Sequence, residues 1–140
     1  MTGKLGFANA VKWLKPAVGD VLMARSEYDR RHYLDLESGT LFGAGQFQLA
    51  LVYPNPYSVA ASSLGFQVMY RMFNDHPEVT CERAVLPDNV GAFRRLRKPL
   101  VTIETGYPVG GADCIAISLA YEPDLASLFD VLALTGIPAL

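Results

Sequence analysis

Two short runs, QLALVY at Gln48–Tyr53 and CIAISL at Cys114–Leu119, are apolar almost throughout instead of alternating with polar residues. A strand of that kind hides both of its faces, and such strands belong to parallel sheets covered by helices on each side. Val79–Leu86 reads as a further strand, broken by Pro87 and Asp88, and Leu100–Thr105 (LVTIET) as another. Helical signals fall between them. Ser62 and Ser63 are helix-start candidates, because their hydroxyls accept from the first free backbone N–H groups. Leu64, Val68, Met69, Met72 and Phe73 follow at helical spacing as one stripe expected to pack in the core, and Asn74 and Pro77 stop that helix. Asp88 is expected to cap a short helix running to about Arg97. Pro123 suits the first turn of a last helix, in which Leu125, Leu128, Phe129 and Leu132 form a second core stripe before Gly136 and Pro138 close it. Strands alternating with helices imply right-handed crossovers. Gly106–Asp113 is too short for a helical crossover, so LVTIET is expected as an antiparallel edge strand or an added extension beside the parallel core.

The chain divides near Gln46, giving an extension at 1–46 and an α/β domain at 47–140. In the extension, Phe7, Val11, Trp13 and Leu14 allow an amphipathic turn or two, and Arg25–Leu36 a short charged helix or an extended arm. With 140 residues, 51% hydrophobic and 19% charged, one domain with a sizeable core is expected. A net charge of −2 gives no field that would draw the chain to nucleic acid or an anionic membrane. Arg94, Arg95, Arg97 and Lys98 form a local basic run, read as a solvated helix face in preference to a phosphate site. Cys81 and Cys114 lie in apolar runs and are expected to be buried, reduced thiols. Neither His32 nor His76 lies at a ligand spacing from a cysteine, and His76, before Pro77, suits a helix-end cap. The first residues lack a secretory signal pattern, and no stretch approaches a membrane span, so the cytoplasm is expected. Ile137–Leu140 stands where a further strand should begin, which reads as a domain truncated at its C-terminal end in preference to a chain that ends on a docked helix.

Ligands of parallel α/β sheets sit outside the carboxyl ends of the strands. Three loops build that edge here: Pro54–Ser63, Gly106–Asp113 and Ala120–Asp124. The first is rich in small polar residues and leads to a helix N-terminus. Its Asn55, Tyr57, Ser58 and Ser62, with Gly65 just beyond it, are binding candidates, as are Tyr121 and Glu122 of the third loop; a turn with its own capping chemistry is the alternative. Phosphate-loop, dinucleotide and nucleophile-elbow patterns are missing. Glu82, Glu104 and Glu122 show no sign of converging as an acid–base pair. No catalytic or metal-ligating residue is assigned.

The segments LALVYPNPYSVAASSLGFQVMYRMFND, CERAVLP, IETGYP, ADCIAISLAYEPDL and GIP, spread over Gln48–Leu140, resemble the N-terminal cobalamin-binding-like domain of radical S-adenosylmethionine (radical SAM) proteins. The likeness is to a prokaryotic group described as iron–sulfur oxidoreductases of unassigned function. The resemblance implies a flavodoxin-like, three-layer α/β fold with a mostly parallel sheet, placed ahead of a radical SAM barrel in the same polypeptide. That barrel would hold a 4Fe-4S cluster and S-adenosylmethionine through a C-x-x-x-C-x-x-C motif, which this chain lacks. The wider cobalamin-binding family carries D-x-H-x-x-G after the first strand; the matching loop from Asn55 has no histidine, although Ser118-Leu119-Ala120 partly matches the family's S-x-L. Three readings stand. The chain is an accessory domain of a radical SAM enzyme with cobalamin as its candidate cofactor, not catalytic by itself. It is an interaction module with a vestigial pocket. Or it is a free-standing flavodoxin-like binder of a small molecule or flavin.

Overall fold

The continuous apolar run from Leu49 to Tyr53 is buried on both sides, and its strand takes the middle of the sheet. A computed structural model describes residues 30–138. In chain order these form a helical segment at residues 30–36 (α1), β1 Phe47–Tyr53, α2 Tyr57–Ala60, α3 Leu64–Asn74, β2 Val79–Val85, α4 Val90–Arg95, β3 Cys114–Ile117 and α5 Asp124–Thr135. The sheet order is β2-β1-β3 with both pairings parallel, so Leu49 sits between Cys81 and Cys114 and Leu51 between Arg83 and Ala116. This is the expected α/β architecture, consistent with a flavodoxin-like fold.

Alternation along β1 divides the core in two. Leu49, Leu51 and Tyr53 meet Phe66 and Tyr70 of α3 on one face, with the Phe66 ring edge-on to Tyr53 at 5.2 Å. Ala50 and Val52 meet Val131 and Leu134 of α5, with Leu100 and Val109, on the other. Burying each large side chain contributes roughly 1.5–3 kcal/mol to holding the layers together. The helix ends follow local chemistry. Ser63 caps α3 by accepting from the Phe66 N–H at 3.3 Å. Asn89, one residue after the expected Asp88, caps α4 by accepting from the Ala92 N–H at 2.9 Å. Pro123 precedes α5 and Gly136 ends it in the left-handed conformation, φ 75°. The His76 ring accepts from the Glu78 N–H just beyond α3.

Several expectations are corrected. LVTIET is not a strand: it makes one antiparallel bridge, Val101 with Pro108, and turns back on itself. Its polar groups are used locally, Thr102 N–H donating to Tyr107 C=O at 2.8 Å and Gly106 N–H to Thr102 C=O at 3.1 Å. Its main chain bonds to the sheet through Ile103 N–H to Arg83 C=O at 2.7 Å, so the loop covers the outer edge of β2 without extending the ladder. Neither apolar stripe is the face that enters the core. Leu64, Val68, Met69 and Met72 are exposed, Phe73 is half-buried, and α3 turns Phe66 and Tyr70 to the sheet. On α5, Leu125 and Phe129 are exposed and Leu128 and Leu132 half-buried, while Val131 and Leu134 enter the core. Cys81 is buried as expected, but Cys114 is exposed, because β3 is an edge strand and its Cys114 end lacks cover. The Phe7–Leu14 reading lies outside the described residues. So does the first part of Arg25–Leu36, whose remainder, residues 30–36, is helical.

Candidate functional site

The carboxyl ends of β1 and β3 bring two of the three loops together. Asn55, just past β1, donates from Nδ2 to Asp124 Oδ1 at 2.8 Å, and Asp124 Oδ2 accepts from the Tyr121 N–H at 3.1 Å. Asp124 is buried at the start of α5, where a carboxylate is favoured by the helix N-terminus. Asn55 also ties the end of β2, its C=O accepting from Leu86 N–H at 3.1 Å. Among the candidate residues, Asn55 and Tyr121 therefore share one loop–loop joint. Ser118 is half-buried beside it, its N–H bonded to Val52 C=O, and Glu122 and the Tyr121 ring are exposed.

The other candidates point elsewhere. Tyr57 begins α2 and leaves the joint: its hydroxyl donates to Glu37 Oε1 at 2.7 Å, and its ring stacks on Tyr33 at 3.9 Å with planes 8° apart. Ser58 is exposed; Ser62, also exposed, donates to the Val59 C=O one turn back. Gly65 is exposed, and a Cβ there would meet open space. Tyr57 with Glu37 thus lies toward α1, and Asn55 with Tyr121 toward α5.

A buried ionic cluster escaped the sequence reading. Arg83 of β2, 3% exposed, donates from Nε to Glu104 Oε1 at 2.7 Å and from Nη1 and Nη2 to both oxygens of Glu37. Glu104 Oε2 accepts from the Arg83 N–H at 2.7 Å, and the guanidinium lies 4.3 Å from the Tyr70 ring centroid. Burial opposes the Arg83 charge, yet its two carboxylates raise its pKa. Burial raises the Glu104 pKa, with Arg83 opposing. Glu37, less covered, has its pKa lowered: burial works against this, but hydrogen bonds from Arg83 and Tyr57 outweigh it. The Tyr57 hydroxyl is raised by burial and by Glu37. Every charge here has a partner, and α1 joins the cluster through Arg30, which donates to the Ile103 and Glu104 carbonyls at 3.0 Å each. A satisfied network of this kind clamps the segment from Arg30 to Leu41 onto the sheet. Nearby, Glu82 accepts from the hydroxyls of Thr102 and Thr105, fixing the loop at the edge of β2. The strand Val79–Leu86 gave no sign of a cluster in the sequence; only the covering loop, farther along the chain, and Glu37 make Arg83 part of one.

A crevice between α1, the end of β2 and α4, lined by Arg30, Tyr33, Leu86, Phe93 and Ile103, holds about 60 Å³. That is room for one or two waters, far below a small-molecule site. Among the described residues no group of three His, Cys, Asp or Glu could hold a metal ion, and no helix is long and apolar enough to cross a membrane.

Fold and edge define a doubly wound α/β domain whose two loops meet at the carboxyl ends of β1 and β3. Residues 65–140, more than half the chain, match the family model described as radical SAM proteins, N-terminal. The chain belongs to that family. No curated protein and no solved structure matches it.

Proposed function

We propose that this chain is the accessory domain that precedes a radical SAM barrel, and that its exposed apolar helix faces receive more protein of the same polypeptide. The observation that carries this reading is the exposure of Leu64, Val68, Met69 and Met72 on α3 and of Leu125 and Phe129 on α5, on a domain of this family. Exposed apolar residues are ordinary when scattered; stripes on two helices beside an edge strand mark surfaces that pack against protein. A 4Fe-4S cluster does not fit this chain: the family's motif has three thiolates, and here are two cysteines, one buried in the core. In this reading the cluster and S-adenosylmethionine belong to the barrel.

For a corrinoid the donor set decides what fits. The Asn55–Ser63 loop has no nitrogen ligand for cobalt, so a cobalamin would have to be held without a protein axial ligand. Ser118 and Tyr121 would offer hydroxyls for its amide-bearing rim, and Gly65 leaves open space at the N-terminus of α3. Bound there, cobalamin would supply methyl-transfer or radical chemistry, while these residues would only bind and orient it. Titration with hydroxocobalamin, followed by visible absorbance and calorimetry, tests this. Saturable binding weakened in Tyr121→Ala and Ser118→Ala supports it; no binding, in this chain or in one extended through a following strand, removes the cofactor. One observation favours the second reading, an interaction module with a vestigial pocket: Asn55 and Tyr57 already spend their polar groups within the domain.

A further inference from the structure

The basic run of Arg94, Arg95, Arg97 and Lys98 lies at the end of α4. The helix closes with Lys98 N–H bonded to Phe93 C=O at 3.0 Å and Arg97 N–H to Arg94 C=O at 3.1 Å. This pair of bonds requires a left-handed residue at Arg97, a place glycine normally fills. Arg97 adopts φ 52°, the one non-glycine among the described residues with positive φ. An L side chain pays for that conformation in stability, where glycine does not. Next to it, the Lys98 ammonium is shielded from solvent without a hydrogen-bond partner and lies 5.5 Å from the Phe93 ring centroid. Burial lowers its pKa.

Both residues line a cleft of about 400 Å³ between the C-terminal ends of α4 and α5, together with Phe93, Arg94, Thr135 and Gly136. Because these helices run back against the strands, the cleft lies at the end of the domain away from the Asn55–Asp124 joint. Cations near helix C-termini are favoured by the free carbonyls, and that accounts for basic residues in this turn. It does not account for an arginine in glycine's conformation or for an ammonium left without an acceptor. Arg94 is already paired with Asp130 at 2.9 Å, which leaves the Arg97 and Lys98 charges unpaired at the cleft.

We propose that this cleft is a binding site for a phosphate-bearing small molecule, its phosphate held by Arg97 and Lys98 and its body lying against Phe93. A guanidinium fork and an ammonium point charge are the two side chains best suited to phosphate oxygens. The volume falls within the range of small-ligand sites.

The test is thermal melting of the 140-residue chain in inorganic phosphate and pyrophosphate against chloride at matched ionic strength, with calorimetry for affinity. The variants are Arg97→Gly, Lys98→Met and, as a charge-matched control, Arg95→Gln. Wild type and the control should gain Tm saturably with either anion. Arg97→Gly and Lys98→Met should melt higher than wild type in chloride, by roughly 3–5 °C for the glycine. Both should lose the anion response, with affinity at least about tenfold weaker. Equal anion gains in all four proteins would mean general salt exclusion and overturn the site. So would no gain in wild type, or variants that melt lower in chloride, which would make both residues structural caps.

Discussion

Replacing Arg83 by methionine tests the clamp. The guanidinium is 3% exposed, Glu104 is fully buried at its side chain and Glu37 is 15% exposed, so the substitution leaves two carboxylates without their cation, one sealed from water. Breaking a buried ion pair from one side costs about 3–5 kcal/mol, because the remaining charge is uncompensated. Against a domain stability of about 5–15 kcal/mol this is a large share. The pH dependence has a defined sign. Glu104 already has its folded pKa raised by burial, with Arg83 opposing; an acid raised in this way weakens the fold at neutral pH, and the penalty fades as pH falls through its folded value. Losing Arg83 enlarges that shift. Glu37 is lowered in the wild type, against its own burial, by Arg83 and Tyr57; it stabilises above the ordinary carboxylate value of 4.5, and that contribution is lost as pH falls. Both effects make the variant's deficit greatest at neutral pH and smaller below about pH 4.5. Urea unfolding followed by far-UV circular dichroism measures it. Adding Glu104→Gln to the variant should recover part of the loss, since the two residues are in contact. A neutral-pH deficit below about 1 kcal/mol, or one that grows on acidification, would refute the clamp.

Other outcomes follow from packing and access. Leu134→Ala should cost about 2–5 kcal/mol through a core cavity, whereas Leu125→Ala on the same helix should stay within about 0.5 kcal/mol; equal effects in chemical denaturation would mean that α5 is turned differently. Gly110→Ala should destabilise by about 1–3 kcal/mol, visible as a lower Tm, since a Cβ there would press into the Thr135 carbonyl oxygen of α5. An aromatic disulfide reagent should titrate Cys114 rapidly in the native protein and leave Cys81 until unfolding, because Cys81 is buried and its thiol is pushed up to about 12, first by burial and then by Glu104. Two fast thiols would contradict the buried position of β2.

What was legible in the sequence was local or periodic. β1 declared itself by an uninterrupted apolar run, and the end of α3 and of α5 by Asn74, Pro77 and Gly136, because propensity and capping act within a few residues. LVTIET misled because its β-branched residues suit a strand, while its backbone bonds close a turn around Gly106, φ 75°. The Arg83 cluster was invisible for another reason. Glu37 and Glu104 lie 46 residues before and 21 after Arg83, and only the topology brings them together. At the candidate site, the loop chemistry of Asn55 and Tyr57 was legible as polar, but their partners Asp124 and Glu37 were not, so one loop turned out to serve two directions.

The apolar stripes carry the most general point. A helical period of hydrophobic residues shows that one face avoids water, but not which body covers it. On α3, Leu64, Val68 and Met72 recur every four residues, and Phe66 and Tyr70 do so two places along, on the opposite side of the helix. The sheet takes the aromatic pair, whose larger rings fill the space over β1 and β2, leaving the aliphatic stripe outward. On α5 the same division leaves Leu125 and Phe129 outside while Val131 and Leu134 go in. A helix apolar on both sides is a helix between two layers. In this domain one of those layers is the sheet, and β3, an edge strand with half-buried Ile115 and Ile117, is where a further strand would extend it. Amide hydrogen exchange compared between this chain and one joined to a radical SAM barrel should therefore show added protection in α3, α5 and β3. Unchanged exchange in all three would leave the stripes without a covering layer and remove the main support for the accessory-domain reading.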